Sequence, residues 1–170
     1  VAAYNGVNKR FKNALMGLMT GLTYDIGNGP GQAFVTVTGD ATTEFDSYPI
    51  VRVLPGEMDT QKASVAENER TLAYDCYVHL PLENRPTHTV NGQPLAMSEG
   101  DIVDWMYDLT DIILDALDEG DYHNVLSTYD STLPSYFLEA QKGHYTVVGS
   151  KGGALLQCVV SLHLRYSKLL

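Results

Sequence analysis

From Ala154 to about Tyr166 the chain alternates without a break. Cys158, Val160, Leu162, Leu164 and Tyr166 fall on one side, and Val159, Ser161, His163 and Arg165 on the other. Successive side chains of a strand point to opposite faces, so this run specifies a strand with one apolar face. A second run answers it. In "RTLAYDCYVHLPL", Arg70 to Leu82, the residues Leu72, Tyr74, Cys76, Val78 and Leu80 face one way, and Ala73, Asp75, Tyr77 and His79 the other. Two long strands with matching apolar faces require a sheet with a covering layer.

Two segments have the 3.6-residue period of such a cover. Between Tyr4 and Leu22, Val7, Phe11, Ala14, Leu15, Leu18 and Leu22 recur at helical spacing. Between Asp101 and Leu117 the apolar stripe is Ile102, Trp105, Met106, Leu109, Ile112, Ile113, Ala116 and Leu117. Ser98, three residues before Asp101, predicts a capping box with Asp in the Glu/Gln position, and Gly120 an end.

The remaining elements are shorter. "DIGNGPG", Asp25 to Gly31, stops the first helix, and "QAFVTVTGD" reads as a strand carrying Phe34, Val35 and Val37. A strand from about Glu44 to Leu54 contains Pro49; lacking an N–H donor, Pro49 predicts an edge or bulged strand. Asn91-Gly92 marks a type I′ hairpin turn before the second helix. A short strand, Tyr145 to Val148, turns through Gly149 to Gly153 into the C-terminal strand. Strands and helices segregate, with no alternating βαβ signature. The prediction is one α+β domain over 1–170, a mainly antiparallel sheet with two amphipathic helices packed on one face. Extended loops are expected at 55–68, 83–97 and 121–144.

Charge is uneven. The net charge is −10, yet nine acidic residues and no Lys or Arg lie between Glu99 and Asp121, leaving the other 147 residues close to neutral. Asp101, Asp104, Asp108, Asp111, Asp115 and Asp118 form a stripe opposite the apolar one. Carboxylates on a rigid helix splay outward, whereas calcium needs 6–8 oxygens wrapped around it. "DEGDYHN", 118–124, lacks the EF-hand register. The stripe therefore reads as a solvated face, even though like charges at i, i+4 repel.

No basic footprint for gripping nucleic acid is present; Lys9, Arg10 and Lys12 are the only cluster. No run approaches the roughly 20 apolar residues of a membrane span. The sequence opens without a secretion-signal pattern, and Val1 in first place fits a removed initiator methionine or a longer precursor. Cys76 and Cys158, both on apolar strand faces, imply buried thiols and a reducing compartment.

The five histidines, His79, His88, His123, His144 and His163, show no metal-ligand spacing, and His79 and His163 are expected on a half-exposed sheet face. "GNGPG" and "GSKGG" read as turns, since neither has phosphate-loop spacing, and no nucleophile elbow occurs. No catalytic residue, cofactor or metal is expected. Eleven tyrosines, several in predicted loops (Tyr122, Tyr129, Tyr136, Tyr145), suit contact surfaces instead.

The order of elements resembles that of bacteriophage tail terminators, the tail-completion proteins of the neck. It runs from an N-terminal amphipathic helix to strands around "YPIVRVLPGE", a long loop and a strand like "RTLAYDCYVHLPL". An acidic helix like "DWMYDLTDIILDAL" and a C-terminal strand like "GALLQCVVSLHLRY" complete it. The likeness spans nearly the whole chain and is one of pattern and order, without a catalytic motif. It implies a structural virion protein in the tail and neck, assembled in the host cytoplasm. The implied assembly is a homo-oligomeric ring, a hexamer, that caps the tail tube, stops its polymerisation and joins it to the head connector. Its partners would be the tail tube protein and the head-tail connector protein, with DNA passing through the lumen unbound and no membrane. A tail tube or head-tail joining protein is the nearest alternative. Others are a monomeric adaptor taking a partner strand at the Pro49 edge, or an enzyme or calcium-dependent binder using the acidic helix. If the acidic helix lined the lumen it would repel DNA; a helix packed on a sheet is expected to turn that side outward.

Subunits are expected to meet at the Pro49 strand and the polar segment 55–68. The residues expected there are Tyr48, Pro49, Arg52, Glu57, Met58, Asp59, Lys62, Val65, Glu67 and Arg70. Too polar to build a core, the segment should order only against a neighbour.

Overall fold

A computed structural model describes residues 4–27, 29–41, 47–57, 69–118, 125–150 and 152–167. The fold is α+β. Its main sheet has five strands in the order β3-β4-β5-β9-β8: β3 (Thr36–Thr38), β4 (Ile50–Pro55), β5 (Glu69–Pro81), β8 (Tyr136–Ser150) and β9 (Gly153–Ser167). All neighbours are antiparallel except β3 and β4, which run parallel. Two small ribbons stand apart, β1 (Thr23–Tyr24) with β2 (Gly31–Gln32) and β6 (Thr87–Val90) with β7 (Gln93–Ala96). The helices are α1 (Val7–Gly21) and α2 (Glu99–Asp118), and a 3₁₀ turn spans Leu126–Thr128.

The two long alternating runs pair as their faces require. Tyr74 lies opposite Leu162, Cys76 opposite Val160, Val78 opposite Cys158 and Leu80 opposite Leu156. Val51 and Val53 of β4 extend the same face through Val78 and Cys76. Both helices cover this face. α1 packs on β3 and β4, and α2 on β5, β9 and β8. Phe11, Leu15 and Met19 from α1, with Ile102, Met106, Leu109 and Ile113 from α2, are fully buried in one cluster with the strand residues. Phe11 meets the ring of Tyr136 edge-on at 5.4 Å. Cys76 and Cys158 are buried free thiols, and burial pushes the Cys76 thiol up to about 12.

The predicted turns and caps form. Asn91 and Gly92 both have positive φ, 50° and 77°, as a type I′ turn demands, so 83–97 carries a hairpin. The Ser98 amide donates to Asp101 Oδ2 at 2.8 Å, and the Asp101 amide to Ser98 Oγ at 3.1 Å. Gly120, expected to end the helix, lies outside the described residues.

Three strand expectations are corrected. Pro49 is not inside a strand: β4 begins at Ile50 and is flanked by β3 and β5, so it is no edge. Without an N–H, Pro49 serves as an acceptor, its carbonyl taking the amides of Val35 and Thr36 at 3.0 and 3.2 Å. The run read as one strand over 32–40 divides, with Gly31–Gln32 in a small ribbon and only Thr36–Thr38 in the main sheet. The short strand at 145–148 is fifteen residues long, so 136–144 is strand, not loop.

A β-bulge explains that last miss. Lys142 pairs with Val160 and Tyr145 with Cys158, so Gly143 and His144 oppose the single Val159. Before the bulge Leu138 and Ala140 share the core side with their even-numbered partners, and after it the odd-numbered Tyr145 and Val147 do. The period-two signal reverses phase in mid-strand. Gly143 sits where a Cβ would come within 3.0 Å of the Val159 carbonyl oxygen.

Candidate assembly surfaces

The described carboxylates of α2 face away from the core, as the two complementary stripes require; the Asp118 side chain lies outside the described residues. Asp104, Asp108, Asp111 and Asp115 are exposed and Asp101 is half-exposed. They do not act as one unit. Asp101 belongs to the cap, and its carboxyl is held below the usual range chiefly by the Ser98 amide, then by the Ser98 hydroxyl. Asp108 accepts a hydrogen bond from the Tyr24 hydroxyl, whose pKa rises through burial and that carboxylate. Asp111 pairs with Lys142 of β8 at 3.4 Å. The Tyr107 and Tyr145 rings pack 4.8 Å apart beneath that lysine, and the hydrogen bond with Tyr145 raises its pKa. Among the described residues no three His, Cys, Asp or Glu side chains converge to hold a metal ion, and no helix is long and apolar enough to cross a membrane.

The far face of the sheet is not covered by the helices. Across it Ile50, Arg52, Leu54, Tyr77, His79, Leu155 and Gln157 line a cleft of about 600 Å³, closed at one end by Tyr48 and the β8–β9 turn. His79 is 8% exposed, which corrects the half-exposed position expected from alternation. Its Nε2 lies 2.8 Å from Gln157 Oε1, while Nδ1 is buried without a partner. Burial lowers its pKa, and the Gln157 bond only partly offsets this. The ring is therefore neutral at pH 7.

The long edge of the sheet is β8. Among the described residues no strand pairs with its outer side, and it exposes Phe137 and Val147, at 41% and 65%. The guanidinium of Arg165 lies over the Phe137 ring at 5.1 Å and 3.8 Å from Glu139. Unpaired edges are templates for another chain, and natural edges are blunted by bulges and charge. Here the bulge at Gly143 and Lys142 interrupt the middle, leaving an apolar residue toward each end.

The residues expected to form one interface do not come together. Tyr48 and Arg52 line the far-face cleft, beyond and within the start of β4. The Arg52 guanidinium donates to the Asp40 carbonyl at 2.6 Å. Glu57 follows the other end of β4, and Arg70, near the start of β5 and opposite Tyr166, lines a second groove with Pro55, Lys9, Lys12 and Tyr74. Met58, Asp59, Lys62, Val65 and Glu67 lie outside the described residues. Sequence reasoning missed the β8 edge, for which the exposed aromatic in "SYFLEAQKG" was the available signal.

No protein-family model matches this chain, and none of the curated proteins matches it.

Proposed function

We propose that this protein is a structural subunit of a virus tail, a ring-forming terminator that caps the tail tube and joins it to the head connector. The observation that carries the reading is the β8 edge: fifteen residues of outer strand, with Phe137 and Val147 exposed toward its two ends. An edge of that length invites side-by-side pairing with a neighbour. The order of elements, two helices on one face of a mainly antiparallel sheet and a C-terminal hairpin, supports the same assignment. In this reading six copies stand edge to edge, and the exposed carboxylates keep DNA from adhering to the particle. A tube or head-tail joining protein would use the same edge, and differs in binding along the tube rather than at its end.

The test is mass and position. Light scattering after size exclusion should give a ring, alone or with purified tail tubes present, and microscopy should place it at the tube end. A protein that stays monomeric with tubes present sinks the assignment, and decoration along the tube's length moves it to the tube or joining class.

A further inference from the structure

The described cations fall into three groups. Arg85, Lys142 and Arg165 each pair with a carboxylate, to Glu99, Asp111 and Glu139. Arg10 donates to the Thr132 carbonyl and Arg52 to that of Asp40. Lys9, Lys12 and Arg70 have no ion-pair partner among the described residues, and all three line one groove of about 660 Å³ between the start of α1 and the ends of β4, β5 and β9. No described carboxylate lines it; its other walls include Tyr4, which is 90% exposed, and Tyr166. Among the described residues, the cations with neither a carboxylate nor a carbonyl partner are thus collected in one place. The groove lies at the start of α1 and the strand ends, whereas the exposed aspartates lie along α2, where Asp111 meets Lys142 on β8, so the two are separate patches of one surface.

We infer that this groove receives the acidic face of α2 from a second copy of the chain. The inference rests on the ring reading above and gives it a direction. A patch that complements a different patch of the same chain makes a head-to-tail contact, which closes into a ring where the rotation allows. The side chains available on α2 are Asp104 and Asp115, exposed and without a described partner, flanking Asp108 and Asp111 on the same face. Opposite charges across such an interface steer association and fix its register. Tyr4 and Tyr166 supply rigid amphipathic area around the charges.

Two variants test this, Lys9→Glu/Lys12→Glu and Asp104→Lys/Asp115→Lys. In the first, a negative groove meets the aspartates; in the second, the two unpartnered helix positions carry the same positive charge as the groove they would enter. Each alone should need a concentration roughly tenfold or more higher to assemble, because like charges meet at every contact. Mixed in equal amounts they should form rings again, alternating around the circle. Wild-type rings should also loosen as salt rises from about 0.1 M to 1 M, where the screening length falls from about 10 Å to about 3 Å. Circular dichroism of each variant checks that it is folded. Rings from either folded variant at the wild-type concentration, or no rings from the mixture, overturn the inference while the ring reading stands. So does a Lys9→Glu/Lys12→Glu protein that assembles normally but loses retention of duplex DNA, which would make the groove a phosphate site. A wild-type protein that never assembles with tail tubes removes both.

Discussion

Ser98 and Asp101 cap α2 reciprocally, each accepting the other's amide at 3.1 and 2.8 Å. The first turn of this helix holds Glu99 and Asp101, so the cap also places negative charge at the positive end of the helix dipole. Ser98→Ala leaves the Asp101 amide without that acceptor and should cost about 1 kcal/mol in a denaturant titration. The Asp101 carboxyl titrates below its unfolded value, so its contribution is present above about pH 4 and disappears as pH falls through the lower folded value. Asp101→Asn should flatten the acid limb of the stability curve. An unchanged acid limb would mean that the cap is not formed in solution.

His79 works on the opposite side of the sheet and in a higher pH range. Burial depresses its pKa, so the unfolded chain takes up a proton near pH 6.5 that the folded chain refuses. Stability is therefore greatest above about pH 6.5 and should decline as pH drops from about 7.5 to 5.5. His79→Gln, which keeps a polar partner for Gln157 but cannot titrate, should remove most of that slope in thermal melts. A slope that survives the substitution assigns it to another group.

The sheet register makes a direct prediction. Leu162 is fully buried between Tyr74 of β5 and Ala140 of β8, whereas the next side chain, Ser161, points to the far face. Leu162→Ala should cost about 2–5 kcal/mol by lost burial and the cavity left behind. Ser161→Ala should stay within about 0.5 kcal/mol. Equal losses at the two positions would mean that the strand is out of register by one residue.

How much of this was legible follows from whether the period survived. β5 and β9 keep strict alternation through thirteen paired positions, and both helices keep unbroken apolar stripes, so their faces and mutual contact are visible in the residues. β8 loses its phase at Gly143 and carries Lys142 on the core side, where an Asp111 partner makes that lysine acceptable. A tertiary partner of that kind is not encoded locally. Pro49 misled for a related reason: its cost depends on whether the missing N–H falls inside a ladder, and here it lies one residue before one. The expected interface failed as a group because strand direction separates residues that are near in sequence, with Tyr48 at one end of β4 and Glu57 at the other.

On α2 the partnered and unpartnered aspartates should behave differently. Asp104→Asn together with Asp115→Asn removes repulsion with Asp108 and Asp111 at helical spacing and should raise stability by about a few tenths of a kcal/mol at low salt, or leave it unchanged. Asp111→Asn also removes the contact with Lys142, which sits over the Tyr107 and Tyr145 rings, and should lose that gain. Thermal midpoints at low and high salt separate the two. If calcium sharply raised the wild-type midpoint and the asparagine variants abolished this, a metal role for the stripe would have to be restored.

The edge itself yields the final prediction. Val147 lies past the bulge, 65% exposed, with β9 on one side and no described strand on the other. A lysine there does not disturb the core, so Val147→Lys should leave the denaturation midpoint within about 0.5 kcal/mol of the parent. What it should change is association, because a charged side chain on an outer strand is the usual means of blocking edge pairing. If the proposed ring reading holds, Val147→Lys should therefore be a folded monomer where the parent assembles, and tails made with it should lose their defined length. Ring formation at the parental concentration by the folded variant would place the subunit contact away from this end of β8. The groove and the acidic helix would then have to hold the assembly without strand pairing, and its sensitivity to salt should be correspondingly steeper.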